Sequence, residues 1–299
     1  MVSFILKNSS KQNNMLRKPD WLRVPVFGGH QFAHVSHILE ELRLNTVCLE
    51  AKCPNRGECF NRGTATFLIL GSICTRNCRF CNIKTGKPSA PDPTEPARVA
   101  EAVRQLKLKY VVVTSVTRDD LDDDGANHFA DTVSEIRKAV PEAGVEILTP
   151  DFRGSTEAPQ IIMKCRPDIF NHNVETVPRL YAEIRPAADY NRSLNLLRFI
   201  RDESGIITKS GIMLGLGETR EELIAVFNNL AAAGISILTL GQYLAPSLNH
   251  VSVKRYVSPQ EFSDLKQIAL ESGIPYVLSG PLVRSSYRAE EFLSKLHSA

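Results

Sequence analysis

The sequence predicts an α/β fold, a partial (β/α)6 TIM-like barrel with extensions at both ends. Three observations predict it. From residue 64 to about residue 250, short apolar runs of strand character alternate with helical patterns, which is the signature of βα units around a parallel sheet. No internal repeat or low-complexity linker interrupts that alternation. A loop of three cysteines follows the first apolar run directly, and barrels keep their chemistry at the ends of strands. Periodicity alone does not separate an open barrel from a doubly wound sheet.

Taken in order, residues 1–20 are expected to be a flexible tail: the first 14 contain no acidic residue and carry no cleavage-site pattern. Residues 21–63 form an N-terminal extension. Within it, a helix over 34–44 would set Val35, Ile38, Leu39 and Leu42 near one face. Strands are expected at 66–70, 110–116, 145–149, 169–174, 206–214 and 235–243. Helices are expected at 95–106, 126–139, 156–164, 193–202 and 220–232, with Thr94 and Thr219 as candidate caps. Residues 251–299 form a C-terminal extension with helices over 259–272 and 286–297.

At 299 residues, 43% hydrophobic and 23% charged, the chain fits one globular domain with a sizeable core. A net charge of +3 is too small to point to nucleic acid, and is compatible with an acidic protein partner. No apolar run approaches the ~18 residues that a membrane span needs. Six of the seven cysteines fall between Cys48 and Cys81, which is no disulfide framework for a chain of this size. Reduced metal ligation in the cytoplasm is the expectation.

Cys74, Cys78 and Cys81 have the spacing C-x3-C-x2-C. Iron–sulfur clusters are normally held by four cysteines, so three in one loop leave an iron open to another ligand. A structural zinc site is the plainer alternative, but zinc wants four closed ligands and no further Cys or His follows closely. A second group, Cys48-x4-Cys53-x5-Cys59, carries turn-forming Pro54 and Gly57. Cys165 lies in the apolar stretch 161–165 and reads as a core thiol.

Three strand-end loops stand out. Residues 114–125 begin with Thr114 and Ser115 and are strongly acidic; a solvated loop explains that as well as a ligand does. Residues 171–176 read Asn-His-Asn-Val-Glu-Thr, and residues 209–219 are rich in glycine, permitting close backbone approach.

The cysteine loop, with Phe80 just before its last cysteine, resembles the radical S-adenosylmethionine superfamily. Gly211-x-Met213-x-Gly215-x-x-Glu218 is similar to that superfamily's adenine-side pattern, with Met213 in place of isoleucine. The resemblance implies an open iron that binds the amino and carboxylate groups of S-adenosylmethionine. One electron then cleaves the cofactor to a deoxyadenosyl radical, which abstracts hydrogen from unactivated carbon. It places cofactor contacts at Phe80, Thr114, Ser115, Asn173, Glu175, Gly215, Gly217 and Glu218, with the acidic loop near the amino group.

The second cysteine triplet and Val283-Arg284-Ser285-Ser286-Tyr287 narrow the resemblance to the lipoyl synthase family. So do 114–121, 172–176 and Gly241-Gln242-Tyr243-Leu244. The family reaction implied is insertion of sulfur at C6 and C8 of an octanoyl chain on a lysine of a lipoyl carrier domain. The carriers implied are E2 subunits of 2-oxoacid dehydrogenases and the glycine cleavage H protein. A flavodoxin or ferredoxin would supply electrons. Two [4Fe-4S] clusters are implied: a radical-generating one on Cys74, Cys78 and Cys81, and an auxiliary one, consumed as the sulfur source, on Cys48, Cys53, Cys59 and a serine. By position that serine is Ser286; Ser285 remains open, and either reads equally well as a helix cap. A hydroxyl is a harder and more replaceable ligand than a thiolate, which suits a cluster that gives up sulfide. A monomer without nucleic-acid or membrane partners is expected. Another radical sulfur inserter or a maturase, and a non-catalytic zinc module, are the competing readings.

Overall fold

The structure, a computed structural model, describes residues 16–24 and 28–291. Ten helices occur among them: α1 (His30–Glu41), α2 (Val47–Glu50), α3 (Arg56–Asn61), α4 (Glu95–Gln105), α5 (Ala126–Ala139), α6 (Glu157–Cys165), α7 (Tyr181–Ile184), α8 (Tyr190–Ser204), α9 (Arg220–Ala232) and α10 (Pro259–Glu271). The strands are β1 (Asn45–Thr46), β2 (Thr66–Ile69), β3 (Ile73–Cys74), β4 (Lys84–Thr85), β5 (Tyr110–Ser115), β6 (Gly144–Leu148), β7 (Ile169–Asn171), β8 (Ile207–Leu214), β9 (Ile237–Gln242) and β10 (Tyr276–Gly280).

One sheet runs in the order β1-β2-β5-β6-β7-β8-β9-β10. Every neighbouring pair from β2 to β10 is parallel, and β1 is antiparallel on the edge. Chain order equals spatial order, so the sheet curls one way as a barrel does and never reverses as a doubly wound sheet would. The two ends, β1 and β10, do not pair, which leaves a seam.

All six expected strands are present. A seventh parallel strand, β10, was not expected. It is short and lies between Pro275 and Pro281, so it has no alternation to announce it. Helix starts differ where the cap differs. Thr219 forms a capping box with Glu222, whereas Thr94 makes no cap bond and instead donates to Asp92. α8 begins three residues earlier than expected because Asp189 accepts from the Arg192 amide. Residues 285–289 form turns, with helix only from Glu290, and 292–297 lie outside the described residues. The expected tail falls mostly on residues 1–15, also outside them; Asp20–Leu22 form a 3-10 turn with Leu22 buried.

The C-terminal segment shapes the barrel interior. A Cβ on Gly241, near the end of β9, would stand 2.1 Å from the Val283 carbonyl oxygen, so glycine there is what lets the segment pass. The segment then descends to Ala289. Ala289 packs with Tyr110, Ile169, Ile207, Ile237 and Tyr276, the first residues of five strands, and plugs the barrel's lower end.

Above that plug lies a buried charge pair. Lys209 Nζ donates to both Glu146 oxygens at 2.9 and 3.0 Å, and Tyr110 and Asn171 donate to the same carboxylate. Both charged side chains are fully buried. Removing one partner would strand the other in a dry interior. Lys209→Met is expected to lower unfolding free energy by about 3–5 kcal/mol in denaturant titrations. A loss under ~1 kcal/mol would show that the Glu146 carboxylate is reached by water instead.

Candidate active site

The cysteine loop is held like a clasp. After β2 the chain turns through Leu70 and Gly71, both at positive φ, and the short parallel pair β3–β4 closes the loop's base. Arg76, between the first two cysteines, is its anchor. It grips Asp119 with two hydrogen bonds, at 2.7 and 2.8 Å, and reaches Asp151 at 2.7 Å. Thr75 bonds the Thr117 carbonyl through both its amide and its hydroxyl. On the far side, Arg79 is tied to Ile184 and Val251, and His250 bonds the Cys81 carbonyl at 3.1 Å. Cys74 Sγ accepts from the Arg76 and Thr117 amides at 3.4 and 3.3 Å. Phe80 packs against the core.

Cys78 and Cys81 face each other, Cys74 and Glu175. Burial raises the Cys78 thiol, while Arg185 opposes that rise; burial pushes Cys81 up to about 12. These thiols release protons when they ligate iron, since the thiolate is the ligand.

The upstream triplet sits beside the seam. Thr46 caps α2, which carries the buried Cys48. Cys48, Cys53 and Cys59 lie within one another's fields, and burial pushes Cys48 and Cys59 up to about 12. Asn82 donates to the Glu50 carbonyl at 2.7 Å, so this segment and the cysteine loop are bonded together.

The segment 282–288 joins the upstream triplet to the barrel mouth. Asn55, between Cys53 and Cys59, donates to the Leu282 carbonyl at 2.7 Å. Tyr287 and Arg288 both bond Glu58. Ser286 Oγ accepts from Thr66 Oγ1 at 2.8 Å and lines a cavity with Cys48 and Cys59. Ser285 Oγ instead accepts from Asn173 Nδ2 at 2.6 Å, on the side of the barrel mouth. The two serines therefore face different places. Cys165 lies apart on α6, its thiol bonded to the Ile162 carbonyl. All seven cysteines are free.

Residues 68–230 match the Radical SAM superfamily. The lipoyl synthase of Alkaliphilus metalliredigens is 53% identical over 94% of this chain and 98% of its own. That of Tolumonas auensis is 52% identical over 97% of this chain and 90% of its own. The chain belongs to the lipoyl synthase family. As a member it is a radical S-adenosylmethionine sulfurtransferase of lipoate biosynthesis that uses S-adenosylmethionine and [4Fe-4S] clusters and acts on a lipoyl carrier substrate. Among solved structures, Streptococcus suis SuiB bound to its precursor peptide SuiA superposes with a TM-score of 0.57 at 12% identity, covering 71% of this chain and 48% of SuiB. The hydrogenase maturase HydG of Carboxydothermus hydrogenoformans gives 0.55 at 17% identity, over 77% of this chain and 65% of its own. This chain thus spans about half of SuiB, and both likenesses speak for the fold alone. No helix among the described residues is long and apolar enough to cross a membrane.

The residues present fit these groups. Among the described residues, no three His, Cys, Asp or Glu side chains close on a single ion. Tetrahedral zinc at ~2.3 Å would draw its thiolates to within ~3.8 Å of each other, whereas a cubane holds one thiolate at each iron corner, further apart. Above the cysteine loop, three buried polar atoms have no partner in the protein: Ser115 Oγ, Asn173 Oδ1 and Arg185 Nε. Buried polar atoms are rarely left so, and a polar cofactor at the strand ends would satisfy them. Glu175 is held at φ 64° by hydrogen bonds to Gly211 and Met213, a strained backbone beside the cysteines.

Two expected contacts have other work. Glu218 folds back to accept from the Gly215 and Leu216 amides at 2.6 and 2.9 Å, so it shapes its loop. The bend rests on Gly215 and Gly217, at φ 97° and 109°. Thr114 donates to the Leu148 carbonyl on the next strand. The acidic loop is also less open than expected: Asp119, Asp120 and Asp124 pair with Arg76, Arg118 and Arg153. Arg76 and Arg185 were not foreseen. Arg76 lies inside the cysteine motif, which was the available signal.

His172 is enclosed behind Asn173, with Nδ1 on the Thr149 carbonyl and Nε2 on Ser193, both at 2.9 Å. Burial, with Arg185, lowers it from 6.5 to about 4. In the window between those values the unfolded chain binds the extra proton, so stability falls as pH drops from ~6.5 to ~4. The expected loss is ~3 kcal/mol for a shift of this size. His172→Asn is expected to flatten melting temperature over that window; an unchanged acid slope in the variant would assign the loss elsewhere.

Proposed function

We propose that the two cysteine triplets hold two [4Fe-4S] clusters with separate tasks. Cys74, Cys78 and Cys81 hold the cluster that cleaves S-adenosylmethionine; Cys48, Cys53, Cys59 and Ser286 hold the auxiliary cluster. When bound, these groups supply an electron, a carbon-centred radical on the octanoyl chain and the sulfur that replaces hydrogen at C6 and C8. The chain's residues do the rest. Arg76 holds the cysteine loop, Ser115, Asn173 and Glu175 take the cofactor's polar groups, and the 215–219 loop after β8, shaped by Gly215, Gly217 and Glu218, gives it a backbone wall. Phe80 closes the cysteine loop onto the core, and Thr114 fixes the strand end from which Ser115 projects.

One observation carries this reading: the 282–288 segment is bonded to the upstream cysteine segment through Asn55 and Glu58, and to the barrel mouth through Asn173. The cavity that Ser286 shares with Cys48 and Cys59 supports it over Ser285 as the hydroxyl ligand. In the same reading 21–63 carries the auxiliary cysteines, 64–250 is the catalytic barrel and 251–299 closes it. The substrates are octanoylated E2 domains and H protein, and the electron donor is a flavodoxin or ferredoxin. One chain supplying every ligand supports a monomer, and seven free cysteines support a cytoplasmic setting.

Anaerobic reconstitution tests it. The wild type is expected to bind about eight irons and eight sulfides per chain, and a Cys48→Ala/Cys53→Ala/Cys59→Ala variant about four of each. Four in both proteins would remove the auxiliary site, and zinc without sulfide would remove the radical chemistry.

A further inference from the structure

The chain enters the cysteine loop through Leu70, which lies between β2 and Cys74. Leu70 is buried, and its backbone sits at φ 67°, a left-handed conformation that costs a leucine energy and persists only where its surroundings impose it. Three separate elements impose it. The Leu70 amide donates at 2.7 Å to Glu95 Oε2, on the first residue of α4. Its carbonyl accepts at 3.3 Å from Arg118, in the loop after β5. Its side chain fills the space that a Cβ on Gly125, the residue before α5, would take, 2.4 Å from one Leu70 methyl. Glu95 is itself held. The oxygen that takes the Leu70 amide also meets His128 Nε2, on α5, at 2.8 Å. A carboxylate oxygen accepts, so the ring donates from that nitrogen. Glu95, His128 and Arg118 are all buried, where such bonds are strong and hard to replace with water. The residue before Arg118 is Thr117, whose amide donates to Cys74 Sγ at 3.3 Å. The hold on Leu70 therefore ends one residue from a donor to the first cysteine sulfur.

We propose that Glu95 and His128 are positioning residues for the radical-generating cluster: through the strained Leu70 turn they aim the cysteine loop and set the Thr117 amide on Cys74. This rests on the assignment of that cluster to Cys74, Cys78 and Cys81. Without the Glu95 carboxylate the Leu70 amide loses its acceptor, and the turn relaxes toward negative φ. The chain then enters the loop in another direction, Arg118 loses its place on the Leu70 carbonyl, and the bond from Thr117 to Cys74 lengthens. An N–H dipole aimed at a ligating sulfur stabilises the added electron, and hydrogen bonds to the sulfurs are among the protein's levers on cluster potential. Loosening one lowers the potential of this cluster. The upstream cysteines lie on other elements, α2, α3 and the turn between them, so their cluster keeps its potential.

The test is a redox titration followed by electron paramagnetic resonance, with iron counted, on reconstituted wild type, Glu95→Met, Glu95→Gln and His128→Leu. Glu95→Gln keeps an oxygen for the Leu70 amide and turns its NH2 to His128, whose ring then accepts in its other tautomer. In Glu95→Met the midpoint potential of the S-adenosylmethionine-responsive cluster is expected to become more negative. His128→Leu is expected to move it the same way by less, and Glu95→Gln to restore most of the shift. The auxiliary midpoint is expected to stay at its wild-type value in all three. An unmoved first midpoint in Glu95→Met overturns the proposal. So does an equal shift of both clusters, which is what a general loosening of the fold would give. If Glu95→Met does not fold, His128→Leu decides: a shift of the first midpoint alone supports the proposal, and none overturns it. A Cys74→Ala protein that keeps the S-adenosylmethionine-responsive signal is a different result: it overturns the cluster assignment, and the proposal with it.

Discussion

Cys53→Ala is expected to cleave S-adenosylmethionine at close to the wild-type rate and to form no lipoyl product. The expected loss in product is at least ~10³-fold, or about 4 kcal/mol in effective barrier. The reasoning is spatial. Cys53 lies in a turn between α2 and α3, with neither the barrel strands nor the Arg76 clasp behind it. Removing its sulfur leaves Cys74, Cys78 and Cys81 with all their supports. The upstream site would keep Cys48, Cys59 and Ser286, one ligand short. Deoxyadenosine release and octanoyl-to-lipoyl conversion are measured on the same reconstituted sample. Cleavage that falls together with product, in protein whose first cluster is intact, would mean that the two sites do not have separate tasks.

The parts of this architecture that were readable from sequence are the local ones. A cysteine triplet declares itself through spacing, and each of β5 to β9 through an apolar run followed by a helical period. What stayed hidden depends on pairs distant in sequence. Nothing in residues 114–125 reveals that Asp119 meets an arginine 43 positions earlier, so the acidic loop looked open when three of its carboxylates were paired. Glu218 looked like a cofactor contact because the motif names the residue and not its direction; its carboxylate turns inward onto two amides of its own loop. Ser285 and Ser286 were indistinguishable as adjacent hydroxyls. They separate only because a turn sends one toward Asn173, two residues past β7, and the other toward Thr66 at the start of β2. Gly241 read as one residue of a motif, and its reason is the Val283 carbonyl that crosses above it.

Arg76→Leu is expected to lose the other cluster. Its side chain is 5% exposed and bonds two carboxylates, one of which, Asp151, is fully buried. Asp151 titrates below the usual carboxylate range: burial works to raise it, but Arg76, His172 and Arg192 outweigh that. Without Arg76 a buried carboxylate keeps only the longer contacts, 3.2 Å to Arg192 and 3.3 Å from the Arg153 amide. Breaking a buried pair from one side typically costs ~3–5 kcal/mol. The loop between Cys74 and Cys78 also loses its tie to the β6 loop and is left on the β5 loop by the Thr75 and Cys74 bonds alone, so the three thiols are held less firmly. Arg76→Lys keeps the charge but not the planar fork that meets Asp119 at two points, and it is expected to fall between the two. Both effects read out together. Thermal unfolding reports the lost pair, and iron analysis of the reconstituted variant is expected to give about four irons, with the remaining cluster at the upstream site. Eight irons and wild-type cleavage in Arg76→Leu would show that the cysteine loop holds its shape without the clasp.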